Sequence, residues 1–274
     1  MRRSIRLLFK ATLLFFAIWC TSVLAENPIE VPILAYHNFN PTVPGSMSIT
    51  PEKFETQLKW LKENGYTVIP LKNLVSYLLG QNISLPAKPV VITADDGWAS
   101  VYTYMLPLVR KYNIPVTLFI YPGTISHGRH AMTWDQLKQL QQTGLFDIQG
   151  HTYEHPNFKQ GKKRLSTDAY EKLVHHELFD SKKILEEKLG TKITLLAWPF
   201  GIYNDSLEQQ AANAGYTMAF SIDARHTAKS KKPMAQPRYM IVAGQSMKTF
   251  AAIVQGQAQG KKHESSQKLS GGSS

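Results

Sequence analysis

The residues of this chain with the most chemistry in them are a pair of adjacent carboxylates and a pair of imidazoles four positions apart. Asp95 and Asp96 end the run Val90-Val91-Ile92-Thr93-Ala94 and are followed by Gly97. Four β-branched residues in succession favour a buried strand, so the carboxylates sit where a strand gives way to a turn. Neighbouring side chains on a strand point to opposite faces, which lets one Asp face a metal and the other a substrate. Two carboxylates this close repel, and a cation between them relieves the repulsion. The bland reading of the same residues is an Asp-Gly turn that caps the helical pattern from Trp98 to Tyr112.

The second stretch is His151-Thr152-Tyr153-Glu154-His155-Pro156. Two histidines at this spacing are a common ligand pair, and one Asp with two His and open positions is a usual set for a catalytic divalent ion. Zinc is the first choice, with cobalt, nickel or iron also suited to imidazole and carboxylate. The string also reads H-x-x-E-H, a metalloprotease motif that needs a helix to bring both histidines to one face. Gly150 before it, Pro156 after it and the strand-like Phe146 to Gln149 argue against a helix here. The bland alternative is two unrelated loop histidines.

The elements that must position these residues alternate. Apolar runs at Val31 to Tyr36, Tyr66 to Ile69, Val116 to Tyr121, Phe146 to Gly150, Leu195 to Pro199 and Thr217 to Ser221 read as strands. Between them lie helices: one opened by Thr50-Pro51 and ended by Gly65, one from Leu71 to Leu79, one capped by Thr133, a long amphipathic one from Asp168 to Leu189, and one from Asp205 to Ala214. Tyr239 to Val242 and Met247 to Gln257 close the pattern. Continuous apolar strands alternating with helices imply a parallel sheet covered on both sides. The number of units predicts an α/β fold, a (β/α) barrel of about seven to eight strands, with the chemistry at strand C-terminal ends. His37, Asp95, Asp96, His151 and Trp198 to Gly201 all fall at such ends. No glycine-rich phosphate loop follows the first strand, which weighs against a dinucleotide-binding domain.

The chain has 274 residues, 43% of them hydrophobic, enough for one sizeable domain. Arg2, Arg3 and Arg6 precede an apolar run to Cys20, and Val23-Leu24-Ala25 offers small residues at a cleavage site. Residues 1–25 therefore read as a secretory signal peptide, with export to the periplasm or the exterior and Glu26 as the first mature residue. Cys20, the single cysteine, leaves with it, so no disulfide is expected. The formal charge of +11 falls with the leader but stays positive. That suits peripheral contact with an anionic envelope surface, and no aromatic-basic pattern argues for nucleic acid. Residues 26–260 form the expected domain and 261–274 a polar, disordered tail.

The Asp-Asp-Gly strand end followed in order by His-Thr-x-x-His-Pro resembles the polysaccharide deacetylases of carbohydrate esterase family four, the NodB-homology domain. The resemblance spans nearly all of the mature chain. It implies a distorted (β/α) barrel and metal-dependent hydrolysis of acetamide groups on N-acetylglucosamine polymers. By motif position, Asp96, His151 and His155 hold the metal and Asp95 is the general base. Three departures matter. Ala94 replaces the usual Phe. Ala197-Trp198-Pro199-Phe200-Gly201 stands where the family has Arg-Pro-Pro-Tyr-Gly, so the Arg that orients the catalytic Asp is missing. The late Leu-x-His, which supplies the general acid, is absent. Arg238, before a late strand, offers a replacement guanidinium. Ile33-Leu34-Ala35-Tyr36-His37 resembles the start of the deacetylases acting on poly-β-1,6-N-acetylglucosamine of biofilm matrix, which makes His37 the expected proton donor. The resemblance makes Trp198, Pro199, Phe200 and Gly201 the expected substrate-binding segment, with Trp198 walling the sugar pocket and core packing as its bland alternative. Peptidoglycan and chitin oligosaccharides are alternative substrates, and a non-catalytic sugar-binding relative is a second class.

Overall fold

The computed structural model of the protein describes residues 29–42, 45–230 and 232–257. The expected leader 1–25 and tail 261–274 lie outside the described residues. In chain order the elements are β1 (Ile33–Tyr36), β2 (Asn38–Phe39), β3 (Ser48–Ile49), α1 (Pro51–Glu63), β4 (Thr67–Val68), α2 (Leu71–Leu78) and β5 (Pro89–Asp95). Then follow α3 (Leu106–Tyr112), β6 (Val116–Ile120), α4 (Trp134–Gln142), β7 (Phe146–Gly150), α5 (Phe158–Arg164), α6 (Thr167–His175) and α7 (Ser181–Leu189). The last are β8 (Leu195–Ala197), α8 (Asp205–Asn213), β9 (Met218–Phe220), β10 (Tyr239–Met240) and α9 (Met247–Val254).

Seven parallel strands run in the order β10-β1-β5-β6-β7-β8-β9, with β4 paired to the start of β5. From β5 to β9 each strand lies beside the one before it, while β10 returns to pair with β1. One segment touches both edges of this curved sheet. Gln236 bridges Phe220 at the β9 edge, and Tyr239 and Met240 pair with Leu34 and Ala35 of β1. Pro237 and Arg238 lie at the seam between the two pairings. The expectation of seven to eight parallel strands in a distorted barrel agrees with this architecture.

Alternation along the strands divides the core in two. One set, Ile33, Val91, Phe119, Leu195, Ala197 and Phe220, packs together across the barrel and is plugged below by Ile69, Leu71 and Leu74. The other set, including Leu34, Ile92, Leu118, Ile148, Leu196 and Trp198, packs outward against helix residues such as Phe54, Leu137 and Leu185. The helices begin where the sequence supplies caps. Thr50 accepts from the Lys53 amide with Pro51 at the first position, and Thr133 and Gln136 form a reciprocal capping box, as a short polar side chain ahead of an apolar stripe requires. Two helical stretches are wound differently from expectation. The one ending at Tyr112 contains a π segment at Val101–Met105. The long helix expected over Asp168 to Leu189 is interrupted by a π segment at His176–Asp180. Among the described residues no helix is long and apolar enough to cross a membrane.

Candidate active site

The chemistry sits at the C-terminal rim of the sheet. The pairing of Tyr36 with Ala94 sets β1 and β5 level, so His37 leaves its strand beside Asp95. Thr93 and Asp95 share the interior face by alternation, and Arg238 meets them from the seam. Its Nη1 and Nη2 donate to the two Asp95 carboxylate oxygens at 2.9 and 2.8 Å. Nη1 also donates to Thr93 Oγ1 at 3.1 Å, and Nε to the Ser221 carbonyl at 3.2 Å. The guanidinium lies over the Phe119 ring, 5.1 Å from its centre. Arg238 is 0% and Asp95 2% exposed. Burial alone would raise the Asp95 pKa, but the Arg238 charge and then that of His151 overturn this and hold the carboxyl below its ordinary value. A fork-shaped donor pair on a carboxylate fixes its plane as well as its charge, so Asp95 is pre-set as an ionised acceptor.

Asp96 adopts φ 79°, a left-handed conformation that costs a non-glycine residue about 1–3 kcal/mol. The turn carries its carboxylate off the strand alternation and over the rim. There Trp98 Nε1 donates to Oδ2 at 3.0 Å, leaving Oδ1 facing His151 Nε2 at 3.5 Å and His155 Nε2 at 3.8 Å. His151 donates from Nδ1 to the Ala197 carbonyl at 2.7 Å, which fixes the tautomer with a lone pair on Nε2 in the neutral ring. The three donor atoms lie within 4.8 Å of one another. Donors bound at roughly 2.0–2.2 Å around a tetrahedral ion stand about 3.3–3.6 Å apart, so Asp96, His151 and His155 fit one small divalent cation. Burial lowers the His155 pKa, and the neighbouring His151 lowers it further, to about 4, so this ring is a neutral ligand at physiological pH. Burial also acts to lower the pKa of His151, but its hydrogen bond to Asp96 reverses the direction.

His37 is drawn into the same field. Burial lowers its pKa, Asp95 and Asp96 act to raise it, and the net direction is down. Its Nδ1 is buried without a hydrogen-bond partner among the described residues. Phe200 is 55% exposed, holds φ 56° and sets its ring edge-on to His155 at 4.6 Å. Gly201 follows at φ 64°, where an added Cβ would stand 2.5 Å from the Ile222 side chain. Pro199 is buried.

Trp198 corrects the expectation that it walls a sugar pocket. Leu195 and Ala197 point inward, so Leu196 and Trp198 point outward. The indole is 1% exposed, packs 6.4 Å from Phe158 and donates to the Met234 carbonyl at 2.8 Å. It is core. The aromatic side chains that do face the site came without a sequence signal. Tyr121 lies 5.4 Å from His155, and Trp98 and Tyr121 line an open cleft that runs from Asp96 to Thr124, His127 and His130. The stretch from His151 to Pro156 is not helical, and Thr152 and His155 both have positive φ, so the one-faced helix of the metalloprotease motif is not formed.

The chain is similar to known proteins over most of its length. The polysaccharide deacetylase family model matches residues 82–219. A poly-β-1,6-N-acetyl-D-glucosamine N-deacetylase of Staphylococcus aureus is 27% identical over 198 residues, covering 71% of this chain and 68% of that protein. The Streptococcus pyogenes deacetylase PplD, solved with acetate, superposes with a TM-score of 0.73 at 26% identity, over 83% of this chain and 99% of that one. IcaB from Ammonifex degensii gives 0.70 at 26% identity, over 84% and 97%. A match of the family model over half the sequence goes beyond a shared barrel, and the chain belongs to the polysaccharide deacetylases, hydrolases of non-peptide carbon–nitrogen bonds.

Proposed function

We propose that the protein is a metal-dependent N-deacetylase of N-acetylglucosamine polymers, with poly-β-1,6-N-acetylglucosamine of biofilm matrix as the substrate and an exported chain as the active form. The observation that carries this reading is the convergence of Asp96, His151 and His155 on one point of the rim, beside a carboxylate locked by Arg238. A divalent ion held by those three residues supplies a Lewis acid that acidifies water and polarises an acyl oxygen. Zinc is our first candidate.

The protein's own groups account for the rest of the reaction. Asp95 accepts a proton from the attacking water, whose oxygen adds to the acetyl carbon. Arg238 keeps Asp95 ionised for that step and oriented. The Phe200 backbone N–H is our candidate donor to the developing oxyanion. As the carbon–nitrogen bond breaks, His37 delivers a proton to the departing amine, and the products are acetate and a free amino sugar. Trp98, Tyr121 and Phe200 offer rings to the sugar. The similarity to the Staphylococcus aureus enzyme and the His37 position support the β-1,6-linked polymer over chitin oligosaccharides and peptidoglycan. Acetate release measured across those three substrates with the zinc-loaded protein tests the reading. Release from none of them, with zinc bound, would leave the non-catalytic sugar-binding alternative standing.

A further inference from the structure

The loop that carries both histidines has too little regular structure to hold its own shape. Thr152 and His155 are left-handed at φ 65° and 55°, and no helix or strand spans His151 to Pro156. What holds it comes from the helix beneath. Glu177 is 1% exposed, and one of its carboxylate oxygens accepts from the Tyr153 and Glu154 amides at 2.8 and 2.9 Å. Ser181, also fully buried, donates from Oγ to the Thr152 carbonyl at 2.6 Å. Glu177 lies inside the π segment His176–Asp180, and Ser181 is the residue that follows it. An extra residue in a helical turn shifts the phase of everything after it and recurs at functional sites. Here it brings two side chains four apart onto two consecutive peptide groups of the loop.

We propose that Glu177 is a positioning residue for the metal site: its buried carboxylate oxygen ties down the Tyr153 and Glu154 amides and so fixes where His155 presents its Nε2. This rests on the functional reading above, in that it takes His155 to be a ligand. The demand is for one oxygen that accepts two amides, not for a negative charge, because an amide oxygen also has two lone pairs.

The test uses the whole protein, stripped with a chelator and titrated with zinc by calorimetry and with cobalt(II) by visible absorption. Glu177→Ala is expected to lower zinc affinity about 10–100-fold, the range for losing a group that orients a ligand, and to alter the cobalt spectrum. Glu177→Gln is expected to stay within about threefold of wild type with an unchanged spectrum. Wild-type affinity and spectrum in Glu177→Ala would overturn the proposal, as would a Gln variant as damaged as the Ala variant. If Glu177→Ala does not fold, Glu177→Met, which keeps most of the volume without the carboxylate oxygen, carries the test. It is expected to weaken zinc binding in the same direction, and unchanged affinity would overturn the proposal. A wild-type chain that takes up neither ion would sink the functional reading itself, which separates the two failures.

Discussion

Replacing Arg238 by Met removes the charge while keeping most of the volume, and its consequence can be worked from the contacts. Two charge-assisted bonds to Asp95, at 2.9 and 2.8 Å, disappear along with donations to Thr93 and Ser221. Each neutral bond contributes only about 0.5–1.5 kcal/mol net. The larger effect is the carboxylate left behind, 2% exposed and without its partner. Breaking a buried pair from one side costs about 3–5 kcal/mol, a large share of a stability of about 5–15 kcal/mol.

The pH dependence separates this account from simple loss of packing. In wild type the Asp95 pKa lies below 3.8, so the stability it contributes is present above 3.8 and lost only as pH falls through the lower, folded value. In Arg238→Met burial is opposed only by the His151 and His37 charges, so the folded pKa rises from its wild-type position and the penalty is present at neutral pH and relieved as pH falls. The gap between the two proteins should therefore be widest near pH 7 and narrow toward pH 4. Urea unfolding across that range measures it. Asp95→Asn combined with Arg238→Met should recover part of the loss, with a coupling energy near the top of the about 0.5–3 kcal/mol range for contacting residues. A gap below about 1 kcal/mol, or one independent of pH, would refute the reasoning. Zinc affinity should be nearly unchanged, since Asp95 is not in the ligand set, while turnover falls.

Three other outcomes are expected. His155→Ala leaves two of three protein ligands and should lose most zinc affinity in calorimetric titration, while full occupancy and activity would remove His155 from the site. His37→Gln should keep the metal and the fold but lose roughly 10²–10⁴-fold in kcat/KM. It should also lose the alkaline limb of the pH profile, which in wild type falls as pH rises through a value below 6.5 because burial keeps the His37 pKa down. Near-normal rates would return His37 to a structural role. N-terminal sequencing of the exported protein should begin at Glu26, and a retained segment Met1 to Ala25 in the membrane fraction would contradict export by a cleaved leader.

How much of this was legible in the sequence differs from residue to residue for physical reasons. The Asp95 strand end was plain, because a β-branched run that stops on two carboxylates and a glycine is a local signal. So was the ligand spacing of His151 and His155. The face of Trp198 was not. It depends on the parity of a three-residue strand, β8, whose register with β7 is fixed by a single pair, Gly150 with Leu196, and a one-residue slip would have turned the indole inward. Glu177 was also hidden. It looks like any glutamate of an amphipathic helix, and its partners lie 23 and 24 residues earlier in the chain. The π segment that places it has no sequence mark at all.

Arg238 was legible only through an absence, and the fold explains why the substitution of one arginine site by another is possible. Ala197 points into the barrel in the same interior cluster as Phe119 and Phe220, on the face of the sheet that also carries Asp95. With alanine there, that volume is open to a side chain from elsewhere on the rim. The seam between β9 and β10 is the place that can supply one. Gln236 still pairs with β9, with its amide on the Ala219 carbonyl and its own carbonyl accepting from Ser221, while Tyr239 already pairs with β1. Between them Pro237 has no amide to place, so the chain can cross from one edge to the other and send the Arg238 side chain inward without breaking a ladder. The carbonyl of Ala197 meanwhile holds His151, a role that no side chain at that position needs to share. The same strand end thus keeps its hold on a metal ligand while giving up its hold on the base, and the seam takes over the second task.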